Sequence, residues 1–208
     1  MGAALDAFFY NFDVAIYKFV YQFDCEFLNA ISNVLHSIGR SEGHIIIFLI
    51  CLLFCFPKKT RKYGVALCAA WCFNMLTVHV IAKPMIGRMR PYTTLVDSPF
   101  WETFKAQWTY TGMHYEDDMS CPSGHTTLAF SVIGSLVFTL SKDKHYWAWA
   151  LMLLPCLMAF SRIYICVHYP SDVLFGMIFG LIAAVFGYFC GEIYKKYLKG
   201  KRILKIEL

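Results

Sequence analysis

Four stretches without a single Asp, Glu, Lys or Arg constrain this chain more than anything else in it: residues 63–82, 119–141, 145–161 and 173–191. Each comes close to the ~20 residues that a helix needs to cross a bilayer, where every backbone N–H and C=O must be paired within the segment. Two shorter apolar runs, 27–39 and 44–57, reach bilayer length if Arg40 and Lys58 snorkel at their ends. The pattern predicts an all-α polytopic membrane protein with six transmembrane helices. Composition agrees, with 58% hydrophobic and 16% charged residues, against roughly 45–50% and 25% in soluble domains. The 208 residues read as one membrane-embedded domain, with no internal repeat or low-complexity linker.

Residues 1–25 follow another pattern. At helical spacing Leu5, Phe8, Phe12, Ile16, Phe19 and Phe23 share one face, and Asp6, Asp13, Tyr17 and Asp24 the other. This predicts an amino-terminal amphipathic helix lying in the membrane interface, rather than an extension of the first span. Its acidic residues and lack of a basic leader do not suit a signal peptide. Basic clusters set the orientation: Lys58, Lys59, Arg61 and Lys62; Lys142 and Lys144; and Lys195, Lys196, Lys199, Lys201, Arg202 and Lys205. With six spans all three fall on one side, which the positive-inside rule makes cytoplasmic together with both termini. The segment 92–118 then lies outside; the acidic amino-terminal helix departs mildly from the rule. The net charge of +5 therefore reports topology and not nucleic-acid binding. Nine cysteines without a CxxC pair or Cys/His metal spacing read as small hydrophobes. A disulfide between Cys121 and Cys166 is not expected.

Three stretches carry polar chemistry where apolar runs begin or end. In Ser161-Arg162 followed by His168 and Asp172, an arginine fork suits phosphate or carboxylate oxygens. A histidine four residues before an aspartate can act as base or nucleophile, the carboxylate fixing its tautomer. Pro170 suits a first helical position. Lys83 through Pro91 brings Lys83 and Arg90 to the end of the third span. In Pro122-Ser123-Gly124-His125, Pro122 is expected to open a helix whose first turn offers N–H groups and a positive dipole end to an anion. Singly these read as interfacial anchors or helix caps. Together they place three cations, a helix start and two histidines on one outer face.

Lys83…Arg90-Pro91, Pro122-Ser123-Gly124-His125 and Ser161-Arg162…His168…Asp172 resemble the K-x6-R-P, P-S-G-H and S-R-x5-H-x3-D pattern of the type-2 phosphatidate phosphatase (lipid phosphatase and vanadium haloperoxidase) superfamily. All eleven fixed letters are present, within residues 83–172. The resemblance implies a six-helix membrane fold with a site at the outer surface that uses no metal or cofactor. It implies His168 as nucleophile, Asp172 as its orienting partner and His125 as general acid. It implies Lys83, Arg90, Ser123, Gly124 and Arg162 as holders of the phosphoryl oxygens. Fixed donors around the phosphoryl group can supply what Mg²⁺ supplies in kinases, and the sequence has no carboxylate cluster suited to Mg²⁺.

The expected reaction is hydrolysis of a lipid phosphate or diphosphate through a phosphohistidine, at the extracytoplasmic face of a bacterial plasma membrane. The favoured substrate is undecaprenyl diphosphate; the alternative is phosphatidylglycerophosphate or phosphatidate. Partners are an isoprenoid or glycerolipid phosphate and membrane lipids. Hydropathy disfavours a soluble haloperoxidase or acid phosphatase, and the intact motif set disfavours a non-catalytic scaffold. Of the other histidines His79 stands four before Lys83; a structural role is preferred to one beside the site. Phe100, Trp101, Trp108 and Tyr110 read as an interfacial aromatic belt before a lipid entrance. The run Glu116-Asp117-Asp118 ahead of the second motif is not standard for the family.

Overall fold

The computed structural model of the protein describes residues 1–39 and 41–204. Arg40 and Lys205 lie outside the described residues, as do the side chains of Lys199, Lys201 and Arg202. The chain is helical with no strand among the described residues: α1 Gly2–Val20, α2 Glu26–Ile38, α3 Ser41–Leu53, α4 Arg61–Asn74, α5 Lys83–Ile86, α6 Pro91–Thr94, α7 Trp101–Tyr110, α8 Gly124–Lys142, α9 Leu153–Tyr164 and α10 Pro170–Leu204. Four helical stretches are long and apolar enough to cross a membrane: Arg61–Thr94, Gly124–Lys142, Tyr146–Tyr164 and Pro170–Leu198.

Helix α8 is the centre of the bundle. Within its apolar window 61% of residues are buried, against 33% in each of the other three. Helix α10 lies against α8 and α4 through glycines. A Cβ on Gly180 would stand 2.6 Å from the Phe130 Cβ, and one on Gly187 would stand 2.4 Å from the Ala66 carbonyl oxygen. Close approach of small residues is the way helices associate where lipid removes the hydrophobic drive between them. Outward-facing Leu76, Val80, Leu153, Ile182 and Phe189 are exposed, as a lipid-facing surface requires.

The two ends of the bundle differ. At one end Asp143 accepts from Lys62 Nζ and Tyr63 Oη, both at 2.7 Å, and from Lys195 Nζ at 3.1 Å. That ties three spans among the basic clusters. At the other end the motif stretches converge. The helix that starts at Arg61 widens into a π-helix over Met75–Ala82 ahead of Pro84, whose ring and missing N–H disturb the turn behind it. Gly87, at φ +60°, ends α5 in the left-handed region.

The first quarter of the chain differs from the sequence expectation. Both ends of α2 touch motif-end residues. Tyr164 Oη donates to the Cys25 carbonyl at 3.3 Å, Asn29 Nδ2 to the Tyr110 carbonyl at 3.4 Å, and His125 Nε2 to the His36 carbonyl at 3.2 Å. Helix α2 therefore lies across that end and does not run through the bundle. It meets α3 at 70°, and the pair counts as one broken span at most, for a total of four or five. Beyond α3, Arg61 at the basic end donates to the Cys55 and Phe56 carbonyls.

Helix α1 is amphipathic as expected, but its polar face is the one packed on the protein. Asp13 and Tyr17 are 1% and 0% exposed, whereas Phe8 and Phe19 are 80% and 60% exposed. The contacts of α1 run from Arg88 through Ser171 to His168, Tyr21 following with Cys166, so it too lies at the motif end. Phe100 and Trp108 are buried beneath this cap, with Phe100 stacked on Tyr17 and Trp108 on Tyr92. They are core residues of the outer layer and not a belt.

Candidate active site

Each motif residue is placed by the end of a helix. Helix α10 starts at Pro170, with the pre-set φ of a first helical position, so His168 stands just before it and Asp172 in its first turn. The segment that leads in turns sharply at Cys166, at φ +62°. Lys83 sits where the π-helix ends, and Arg90 precedes Pro91 in extended backbone. The second motif opens its helix later than expected. Helix α8 starts at Gly124 with Ser123 as N-cap, since the Ser123 carbonyl accepts the first intrahelical bond from Thr127 N at 2.9 Å. Pro122 lies outside it.

A cavity of about 730 Å³ brings Lys83, Arg90, Gly124, His125 and His168 together. Arg90 Nη1 donates to His168 Nε2 at 2.9 Å and to the Val167 carbonyl at 2.8 Å. An arginine only donates, and the same Nη1 also stands 3.3 Å from the second ring nitrogen, Nδ1. That nitrogen faces Asp172 Oδ2 at 3.7 Å, longer than a hydrogen bond. Burial first, then the charges of Arg90 and Lys83, pushes the His168 imidazolium well below its usual range. The neutral imidazole is thereby favoured, with Arg90 beside Nε2. Tyr17 donates to the His168 carbonyl at 2.8 Å. Burial, then Cys166 and Asp13, pushes the Tyr17 phenol well above its usual range, which keeps it a donor.

Asp172 is wholly buried. Its Oδ2 accepts from Tyr169 N at 3.1 Å and from Ser120 Oγ, and its Oδ1 accepts from Arg88 Nη1 at 2.6 Å. His125 packs its ring against Gly39, where a Cβ would stand 1.8 Å from His125 Cδ2; glycine alone fits there.

The acidic run occupies the cations. Asp118 accepts from Lys83 Nζ and from Arg90 Nη2, and its carbonyl accepts from Arg90 Nε at 3.0 Å. Burial alone would raise the Asp118 carboxyl, but Lys83 and Arg90 outweigh it and hold it at about 2. Glu116 Oε1 stands 3.5 Å from His36 Nδ1.

Two expected phosphate holders stand apart. Arg162 is buried behind His36, donating to His36 Nδ1 at 3.0 Å and Ser161 Oγ at 3.2 Å. The Ser123 hydroxyl accepts from Thr126 Oγ1 at 3.0 Å and its N–H donates to the Asp172 carbonyl at 3.1 Å. Neither lines the cavity. His79 does line it, its ring against Gly124, contrary to the structural role preferred from sequence. His36, His44 and His114 also line it, and spacing held no sign of them. His36, Glu116 and His125 bring three ligand atoms within 4.8 Å of one another, the one such group among the described residues. The fixed cation of Arg162 beside His36 Nδ1 makes this corner better suited to an anion than to a metal. All nine cysteines are free, Cys121 and Cys166 included.

Comparison with known proteins gives the family of the chain. The chain is 28% identical over 171 residues to an undecaprenyl-diphosphatase of Sulfolobus acidocaldarius, covering 82% of this chain and 74% of the relative. It is 30% identical over 160 residues to a lipid A 4'-phosphatase of Porphyromonas gingivalis, covering 74% and 61%. Among solved structures, a transmembrane PAP2-type phosphatidylglycerolphosphate phosphatase of Bacillus subtilis superposes with a TM-score of 0.66 at 24% identity, over 94% of this chain and 90% of that one. Residues 59–192, which hold every motif residue described above, match the model of the PAP2 superfamily, and the chain belongs to that superfamily.

Proposed function

We propose that this protein hydrolyses a lipid diphosphate, undecaprenyl diphosphate in the first place, through a phosphohistidine on His168. The observation that carries the reading is that His168, backed by Asp172, lines one cavity with His125 and the two cations Lys83 and Arg90. In the reaction Nε2 attacks the terminal phosphorus. The bond from phosphorus to the bridging oxygen breaks, and that oxygen takes a proton from the imidazolium form of His125, which becomes the neutral imidazole. Water then attacks the phosphohistidine and gives His125 its proton, His168 regains its lone pair, and phosphate leaves. Asp172 supports the imidazole. Lys83, Arg90 and the start of α8 hold the phosphoryl oxygens, with Asp118 withdrawn from the cations and Arg162 and Ser123 turned inward. The 28% identity to an undecaprenyl-diphosphatase over most of both chains supports the substrate.

The geometry supports a revised topology: α1, the start of α2 and the motifs on the extracytoplasmic side, five spans formed by the bent α2–α3 pair and the four long helices, and the carboxyl terminus in the cytoplasm. The basic clusters keep the cytoplasmic side under this count. The acidic α1 now falls outside, so it no longer departs from the positive-inside rule. Phosphate release in detergent micelles, compared for undecaprenyl diphosphate, phosphatidylglycerophosphate and phosphatidate, tests the substrate. The highest kcat/KM is expected for undecaprenyl diphosphate, and either phospholipid ranking first would move the assignment to phospholipid turnover.

A further inference from the structure

Behind Asp172, on the side away from the cavity, a second arginine of the first motif stretch is wholly enclosed. Arg88 uses all three guanidinium nitrogens. Nη1 donates to Asp172 Oδ1 at 2.6 Å and Ser171 Oγ at 2.7 Å, Nη2 to Asp13 Oδ2 at 3.0 Å, and Nε to Asp6 Oδ1 at 2.8 Å. The guanidinium lies over the Tyr169 ring, 3.8 Å from its centre. Asp13 also accepts from Ser171 N at 2.7 Å and Ser171 Oγ at 2.8 Å. Helix α1 thus grips the segment 168–172 at Tyr17 and Asp13, and reaches Asp172 through Arg88.

Arg88 is the cation that Asp6, Asp13 and Asp172 share. Asp13 and Asp172 flank Ser171 in a buried place, where two carboxylates without a cation between them would repel and one would take up a proton. A protonated or turned Asp172 could not support the His168 imidazolium or hold its tautomer. The planar fork of arginine also fixes the carboxylate in direction, which a point charge does less well.

We propose that Arg88, clamped by Asp13 and Asp6, is a positioning residue for the His168–Asp172 pair, and that α1 is thereby a working part of the active site. The proposal rests on the assignment of His168 and Asp172 made above. Helix α1 precedes residues 59–192, the part of the chain that the family model matches, so the family pattern does not include these two carboxylates.

The test uses the full-length protein in micelles, with farnesyl diphosphate and dioleoyl phosphatidate as probes and kcat, KM and the acid limb of kcat/KM as readouts. Other charged groups face His168: Arg90 and Lys83 from the stretch after α4, Asp118 from the outer loop, Arg162 from α9, His125 from α8 and Asp172 from α10. None of these is altered. Arg88→Gln leaves Asp172 protonated or turned away, so the His168 imidazolium loses its support and the acid limb moves to lower pH. kcat falls roughly 100-fold, the scale of a misplaced catalytic group, while KM stays within about threefold because Arg88 does not line the cavity. Arg88→Lys keeps the charge and leaves the limb where it was, with kcat part-way restored. A limb that does not move in Arg88→Gln, or equal losses in the Gln and Lys variants, overturns the proposal.

If Arg88→Gln does not fold, Asp13→Asn decides. It loosens the clamp on Arg88 and removes a negative charge, so kcat falls about tenfold and the limb again moves to lower pH. A wild-type kcat with an unmoved limb in Asp13→Asn overturns the proposal as well. If only phosphatidate is turned over, the diphosphate reading fails, and the positioning claim is measured on phosphatidate.

Discussion

Asp118 is joined to Arg90 twice: its carboxylate accepts from Nη2 and its carbonyl from Nε at 3.0 Å. The same carboxylate accepts from Lys83. A side chain of the protein thus sits where the family pattern puts the phosphoryl oxygens, and a substrate must displace it. Asp118→Asn removes the competing charge. Its side chain is 47% exposed, and an ion pair with that much solvent is worth up to about 1 kcal/mol. KM is therefore expected to fall roughly fivefold with kcat little changed. A raised KM in Asp118→Asn would mean that Asp118 helps to build the site.

The same contact sets a pH window. The Asp118 carboxyl stands at about 2 in the folded protein, against about 3.9 for a free side chain. A lowered carboxyl stabilises fully above its unfolded value and loses that contribution as pH falls through its folded value. The outer loop should therefore stay clasped above pH 4 and loosen between about pH 4 and 2. Pepsin, which works in this window, should cut within 112–119 increasingly as pH falls in the wild type. It should cut Asp118→Asn alike across it. Wild-type cutting that does not change with pH in that range contradicts the clasp.

Much of the site was legible because charged residues at the ends of apolar runs must be paired or functional. Lys83, Arg90, His125 and His168, all singled out by the motifs, line one cavity. The partners that complete the site were not legible, since Arg88 and Asp172 are 84 residues apart and Arg88 and Asp13 are 75 apart, and helical periodicity carries no information at that range. Periodicity also reports that one face of α1 is apolar without saying what it faces. In a soluble protein that face goes inward. Here Asp13 and Tyr17 go inward and the phenylalanines outward, because lipid is as good a partner for Phe8 as any core. Residues 27–39 read as a span because apolar content does not distinguish a helix that crosses the bundle from one lying across its end.

At the basic end, Asp143 is expected to matter for stability and not for turnover. Burial alone would raise its carboxyl, but the hydrogen bonds from Lys62, Tyr63 and Lys195 hold it well below the usual range. Asp143→Ala removes the common acceptor of three spans. A loss of about 1.5–3 kcal/mol is expected, the range for hydrogen bonds to a charged group, read as a lower Tm in detergent with kcat unchanged. An unchanged Tm would show that the cluster contributes nothing to holding the spans together.

Topology separates the five-span account from the six-span expectation. Reporters fused at the amino terminus and after Asp118 should lie on one side, the extracytoplasmic one, and a reporter after Lys62 on the other. An amino-terminal reporter found in the cytoplasm would return α1 to the opposite face, and would conflict with its contacts to Arg88, Ser171 and His168.

The central claim is the division of labour between His168 and His125, and rapid quenching of the enzyme with a ³²P-labelled terminal phosphate on the lipid diphosphate tests it most directly. Wild type should give an acid-labile, base-stable phosphoenzyme. His168→Ala should give none and no turnover. His125→Ala should still form it, roughly 10²–10⁴ times more slowly, the usual worth of a general acid. That deficit should shrink with an aryl phosphate whose leaving group needs no proton. A phosphoenzyme trapped in His168→Ala and absent in His125→Ala would contradict the account, because His168 would then not be the nucleophile.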